Sequence, residues 1–121
     1  MGFAFEELKV YQKALDFAVS VIDIVDMLDT PRKHYRLIEQ LESCSTSVAL
    51  NISEGKGRYS KKEFKRFCYI ARGSLYETVA MLQIFRKKKW IEEESYNKLY
   101  NEAEEISKML SGLINSIKDS M

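Results

Sequence analysis

Residues 48–79, VALNISEGKGRYSKKEFKRFCYIARGSLYETV, contain the turn around which we expect the fold to be arranged. Three of the five glycines of the chain lie in this stretch, and basic residues surround the first two. On either side of the turn, apolar residues recur every three or four positions, which is the spacing of an amphipathic helix. The stretch therefore predicts two helices joined by a turn that is rich in basic residues.

The local signals at this turn predict where the two helices end and begin. Gly55 or Gly57 is well placed to adopt the left-handed conformation that terminates many helices. After it, Ser60 and Glu63 have the spacing of a capping box, in which each side chain bonds to the backbone amide of the other residue. We expect the third helix to start there.

The same periodicity extends outward over the whole chain. It predicts helices at about residues 5–28, 33–55, 60–89 and 92–118. Thr30 and Pro31 suit the start of the second helix, because threonine caps a helix and proline fits its first position. Short links and a single proline favour an all-α fold, with an antiparallel up-down-up-down four-helix bundle as the simplest topology. The 121 residues are enough for one domain, 1–121.

The first helix carries more apolar surface than a small bundle usually covers. One apolar seam consists of Leu8, Tyr11, Leu15, Ala18, Ile22 and Val25, and we expect it to pack inside the bundle. A second seam, about 100° away, consists of Val10, Ala14, Phe17, Val21, Ile24 and Leu28. Two seams on one helix indicate either self-association or a wide core face.

The second helix has one apolar seam beside an unusual run of small residues. The seam consists of Leu41, Cys44, Val48 and Ile52, and Ser43–Ser47 reads SCSTS. Small side chains permit close approach of a neighbouring helix. We favour that interpretation over a nucleophilic serine, which would need a base and oxyanion donors nearby.

Several function classes are disfavoured by what the sequence contains. The N-terminus is acidic where a secretory signal is basic, so we expect a cytoplasmic protein, and no apolar run is long enough to span a membrane. Cys44 and Cys68 lie in apolar patterns and are expected to be buried thiols. With His34 as the only histidine, we expect no metal site, no cofactor and no enzymatic activity.

Positive charge is concentrated in the middle of the chain. Residues 54–91 contain eleven basic and three acidic residues, although the whole chain has a net charge of only +1. We call one group of these cations the basic turn: Lys56, Arg58, Lys61, Lys62, Lys65 and Arg66, with Tyr59 among them. Such a cluster is typical of an RNA- or DNA-binding surface. Contacts with acidic helices or subunits, or simple solubility, are the alternatives.

Polar residues also interrupt the apolar faces of the two central helices. They are Asn51, Glu54, Ser74 and Glu77. Because buried polar groups need hydrogen-bond partners, we predict that these four form a polar layer that sets the register of the two helices. A ligand site is the alternative. Arg86–Lys89 form a second basic cluster, whose charges oppose the negative end of the third helix dipole.

The chain resembles the four-helix-bundle proteins encoded by intervening sequences within bacterial 23S ribosomal RNA genes. The resemblance rests on FEELKVYQKALDF, LIEQL, SVALNISEG and FKRFCYIARGSLYET. The combination of NISEG with GSxxE is the most specific part. This resemblance implies a left-handed antiparallel bundle, assembly into a homopentameric ring, and association with nucleic acid. More distant relatives are accessory proteins of reverse transcriptases, in which a basic pentameric surface contacts nucleic acid.

Together these observations predict a non-enzymatic, oligomeric helical bundle that associates with nucleic acid, and specifically RNA, through the basic turn. The alternative is a protein-interaction scaffold ring that does not bind nucleic acid directly.

Overall fold

The computed structural model describes residues 2–28 and 34–117, which form four α-helices and one short 3-10 helix. The α-helices are α1 (Lys9–Asp26), α2 (Tyr35–Lys56), α3 (Lys61–Lys87) and α4 (Glu93–Ser116), and the 3-10 helix is Ala4–Glu7. Thr30 and Pro31, the predicted start of the second helix, lie outside the described residues. No helix in the described part of the chain is both long and apolar enough to cross a membrane.

Each helix packs against the helices that precede and follow it, and α1 also packs against α4. Contacts between α2 and α3 run in opposite directions along the two helices: Gln40 with Glu77, Ser47 with Ser74, and Gly55 with Phe67. Contacts between α3 and α4 do the same, with Arg72 bonded to Ser111 and Arg86 bonded to Glu93. This neighbour order is that of the expected all-α, antiparallel up-down-up-down bundle.

The structure corrects the prediction for the first helix. Leu8 has an extended backbone, with ψ 121°, and separates the 3-10 helix from α1, so that the regular helix begins at Lys9 rather than near Phe5. The seam from Val10 to Leu28 faces the core, whereas Leu15 of the other seam is exposed. The rest of that other seam is buried or half-buried, with Ala18 buried and Tyr11 and Val25 packed against the core, so both seams contribute to a wide core face.

Helix α2 buries its predicted seam completely, and Ser45 and Ala49 are buried beside it. Its end differs from the prediction. The helix continues through Gly55 to Lys56, and Gly57 is right-handed, with φ −81°. Neither glycine is in the left-handed conformation. Gly55 is needed instead because Phe67 of α3 packs directly against it, which leaves no room for a side chain.

Helix α3 begins at the predicted position. The Ser60 hydroxyl accepts a hydrogen bond from the Glu63 amide at 3.1 Å, which is one half of the expected capping box. The Glu63 carboxylate instead accepts a hydrogen bond from Nε of Arg66 at 3.3 Å. The apolar face of α3 fills the centre of the bundle, with Cys68, Ala71, Leu75, Leu82 and Phe85 almost entirely buried.

Helix α3 ends in a Schellman motif. Lys89 is left-handed, with φ 61°, and the Trp90 amide donates to the Phe85 carbonyl at 3.0 Å while the Lys89 amide donates to the Arg86 carbonyl at 2.9 Å. The Trp90 ring packs edge-on against Phe85, with ring centres 5.0 Å apart, and also contacts His34. Trp90 therefore covers this end of the bundle. From there α4 returns, with Leu99, Ile106, Leu110 and Ile114 in the core.

Candidate nucleic-acid interface

The basic turn lies at the end of the bundle where α2 passes into α3. Lys56, Arg58, Lys61, Lys62 and Arg66 are exposed, and Lys65 is half-buried. The Tyr59 side chain, in the loop between the helices, is fully exposed. Because α3 starts here, the amide groups of its first turn and the positive end of its dipole lie at the same surface. The geometry thus brings the six predicted cations together.

Two arginines of the basic turn are held against one aromatic ring. The guanidinium carbons of Arg58 and Arg66 lie 4.8 and 5.0 Å from the centre of the Phe67 ring. Each arginine also forms an exposed ion pair within its own segment, Arg58 with Glu54 at 3.1 Å and Arg66 with Glu63 at 3.3 Å. Such exposed pairs add little stability. Their effect is to orient the two guanidinium groups.

Lys56 is positioned in a similar way. Its ammonium nitrogen lies 5.4 Å from the centre of the Phe64 ring, at the start of α3. Lys56 and Lys61 also border a shallow cleft that Phe64, Ser116 and Ile117 complete. Aromatic residues of α3 therefore fix cations from both sides of the turn.

The second basic cluster, Arg86–Lys89, forms contacts that hold one end of the bundle together. Arg86 forms a two-point ion pair with Glu93 of α4, and its guanidinium carbon lies 4.5 Å from the centre of the Tyr96 ring. The hydrogen bond with Glu93 raises the pKa of Arg86 above its usual value. The cluster also contains Lys89, the left-handed residue of the helix cap. These contacts join α3 to α4 at the end of α3 opposite the basic turn.

The predicted polar layer is narrower than expected. Asn51 and Ser74 belong to one network through Ser47, which the sequence analysis did not single out for this role. The Asn51 amide donates to the carbonyl and hydroxyl oxygens of Ser47 at 2.8 Å each, and the Ser47 and Ser74 hydroxyl oxygens are 3.0 Å apart.

The two carboxylates lie outside that network. Glu54 is exposed and pairs with Arg58, and Glu77 is exposed and accepts a hydrogen bond from Gln40 at 3.1 Å. A carboxylate retains its hydration at the surface, whereas a hydroxyl or amide can be satisfied inside by a single neighbour. The layer that joins α2 and α3 therefore consists of small neutral groups.

The structure also reveals an arginine that was not among the predicted site residues. Arg72, in the middle of α3, donates from Nη1 to the Ser111 hydroxyl of α4 at 3.0 Å, and its guanidinium carbon lies 5.1 Å from the Tyr69 ring centre and 6.0 Å from that of Tyr76. A detectable signal was present, since these three residues are separated by steps of three and four. They therefore share one helix face.

The chemistry of the remaining polar groups is limited. Within residues 2–28 and 34–117, no group of three or more His, Cys, Asp and Glu side chains is arranged to hold a metal ion. Cys44 and Cys68 are buried as free thiols. Burial raises the pKa of Cys68 to about 11 and also raises the pKa of Cys44, so both thiols are protonated at neutral pH.

Comparison with known proteins agrees with the sequence resemblance. A family profile described as 23S rRNA-intervening sequence protein matches residues 6–112. Among solved structures, the chain is similar to a protein of unknown function from the S23 ribosomal protein family of Bacteroides thetaiotaomicron VPI-5482. The identity is 28% and the TM-score 0.82, over 88% of this chain and 99% of the other. A comparison with curated proteins finds no match.

Proposed function

This chain belongs to the 23S rRNA-intervening sequence protein family, and we propose that it is a cytoplasmic, non-enzymatic oligomer that associates with nucleic acid, RNA in particular, through the basic turn. One observation carries the proposal. Residues 54–66 combine six cations with two carboxylates, a formal charge of +4, at one end of the bundle. Clustered cations bind the phosphate backbone by releasing counterions, largely independently of sequence.

The side-chain contacts support this proposal further. Arg58 and Arg66 are oriented by the Phe67 ring, so that less side-chain freedom is lost when they bind a phosphate. Tyr59, which follows Arg58 in the chain, is fully exposed. An unpaired base can stack on its ring. The start of α3 adds backbone amides to the same surface.

A salt titration of binding tests the proposal. We expect the full chain to bind structured RNA and duplex DNA at low salt, with affinity that falls steeply as salt rises. The double variant Lys61→Gln/Lys62→Gln should reduce the slope of log affinity against log salt by about 1 to 2.

The matched control for this variant is Lys87→Gln/Lys88→Gln, which removes the same charge at the other end of α3. It should leave the slope close to that of the wild type. Equal losses from both pairs would mean that only net charge matters, and no binding at low salt would overturn the proposal. In that second case the protein-interaction scaffold becomes the favoured function.

Exposed apolar residues support the oligomeric part of the proposal. The side chains of Leu15 and Val19 on α1 are 44% and 50% exposed, and Leu50 on α2 is also exposed. Apolar surface of this kind is commonly covered by another subunit. The number five comes from the family resemblance, and it corresponds to a mass of about 70 kDa for a chain of 14.1 kDa. Light scattering coupled to gel filtration measures this mass directly, and a monomer would contradict the proposal.

A further inference from the structure

Helix α3 carries a row of cations and aromatic rings that continues from the basic turn toward the middle of the bundle. We call this row the α3 stripe: Lys62, Lys65, Tyr69, Arg72 and Tyr76. At 3.6 residues per turn these five residues fall within an arc of about 80° and extend over about 21 Å. The Tyr69 and Tyr76 side chains are 48% and 54% exposed. The stripe is therefore a surface rather than part of the core.

Arg72 organises the centre of the α3 stripe. Its guanidinium group lies between the two tyrosine rings, at 5.1 and 6.0 Å from their centres, and it is tied to α4 through Ser111. A guanidinium group has five N–H donors, so it can contact a phosphate while it keeps its bond to Ser111. The two rings and the cation between them thus form one pre-arranged unit.

The charges on α3 are separated by face. Its two carboxylates within the described helix, Glu63 and Glu77, interact away from the α3 stripe: Glu63 with Arg66, and Glu77 with Gln40 of α2. The stripe itself contains only cations and aromatic residues. It is consequently complementary to a polyanion that also presents flat rings, and a single nucleic-acid strand has both features.

Beyond Tyr76 the stripe opens into a groove between α3 and α4. The groove has a volume of about 310 Å³, within the range of ligand pockets. Tyr76 and Tyr100 lie on its two helices, and Val79, Ala80 and Ala103 line it with small apolar surfaces. Gln83, Glu104 and Ser107 supply polar groups. Glu104 brings a negative charge, which disfavours a phosphate group in the groove. An uncharged base is still compatible with it.

We infer that single-stranded nucleic acid binds along the α3 stripe, with phosphates contacting Lys62, Lys65 and Arg72 and with bases stacking on Tyr69 and Tyr76. This inference rests on the proposed function, because Lys62 and Lys65 belong to the basic turn. It specifies the ligand further. A duplex hides the faces of its bases, whereas a single strand or an RNA loop exposes them for stacking on aromatic side chains.

Fluorescence anisotropy with the full chain tests the inference. The probes are a labelled oligouridylate and an RNA duplex of equal length, each titrated at several salt concentrations. The double variant Tyr69→Ser/Tyr76→Ser should lose about tenfold or more in affinity for oligouridylate. Its salt slope should remain that of the wild type, because no charge is removed. Affinity for the duplex should change little.

Two matched variants control for folding and for general loss of aromatic surface. Tyr35→Ser removes a tyrosine that is 58% exposed on α2, and it should bind oligouridylate like the wild type. Tyr69→Phe/Tyr76→Phe retains both rings and should restore the affinity. Circular dichroism of each variant establishes that the helices are intact.

The outcomes separate the inference from the proposed function. If the wild type binds neither probe at low salt, both fail. If it binds both probes equally and the serine variant is unaffected, the inference is overturned while binding at the basic turn stands. If the serine variant changes the oligomer mass instead of the affinity, the α3 stripe is a contact between subunits, and the inference is likewise overturned.

Discussion

A Cβ atom placed on Gly55 of α2 would overlap the Cβ of Phe67 in α3, because the two would lie closer than non-bonded carbon atoms can approach. The Phe67 side chain therefore packs directly against the backbone of α2 at this point. The same Phe67 ring carries Arg58 and Arg66 on its surface. Contact between Gly55 and Phe67 thus joins the helix pair and also determines where the arginines of the basic turn lie.

Gly55→Ala should accordingly destabilise the bundle. The added methyl group meets the start of the Phe67 side chain rather than its flexible end, so α2 and α3 must separate, at a cost of about 1–3 kcal/mol. Chemical denaturation measures this change. The matched control is Gly73→Ala, where nothing lies within 4 Å of the added atom. That variant should gain about 0.5–1 kcal/mol, because alanine favours a helix over glycine. Stabilisation by both substitutions would contradict the close contact.

Lys89→Gly should stabilise the protein. Lys89 is in the left-handed conformation that closes the Schellman motif, and glycine adopts this conformation without steric cost. We expect a gain of about 0.5–1 kcal/mol, after allowing for the greater backbone freedom of glycine in the unfolded chain. Lys88→Gly removes the same charge at a right-handed position, with φ −78°, and should not stabilise. A thermal melt of the two variants compares them, and an equal gain would point to charge rather than conformation.

Ser47 and Ser74 should be energetically coupled. Their hydroxyl groups form the hydrogen bond that links α2 to α3, and both are half-buried. A double-mutant cycle of Ser47→Ala and Ser74→Ala should give a coupling free energy of about 0.5–1.5 kcal/mol. The pair of Ser53→Ala and Ser74→Ala is a suitable control, because Ser53 bonds to its own helix at Leu50. Coupling near zero in the first cycle would show that the bond does not stabilise the packing of α2 against α3.

Stability should fall at alkaline pH because of Cys68. Burial raises the pKa of this thiol to about 11, compared with 9.0 when it is exposed. Above pH 9 the unfolded chain releases this proton while the native state retains it, so the contribution of Cys68 is complete below pH 9 and is lost between pH 9 and 11. The slope of unfolding free energy against pH in that interval should be shallower for Cys68→Ala, by at most about 1.4 kcal/mol per pH unit. All other titrating groups are the same in the wild type and in Cys68→Ala, so their contributions cancel in the difference between the two slopes. Identical slopes would contradict the assignment.

Elements with strong local signals were predictable from the sequence. Ser60 begins α3 as expected, and the seam from Leu41 to Ile52 is buried, because capping chemistry and a 3.6-residue period act over a few residues. The six cations of the basic turn are close in sequence, so their clustering also followed directly. The composition of the polar layer could not be predicted in the same way. Whether Glu54 and Glu77 face the neighbouring helix depends on the rotation of both helices about their axes.

The amino-acid sequence by itself determined that this protein has four amphipathic helices, their approximate limits and the concentration of positive charge between the second and third. Only the tertiary structure decided that Gly55 serves close packing against Phe67, that α1 buries Phe17 while Leu15 stays exposed, and that Arg72 lies between Tyr69 and Tyr76 while bonded to α4. The physical reason is the range of the interactions. Helix formation depends on neighbours within one or two turns, whereas helix rotation and close approach depend on surfaces that are distant in the chain.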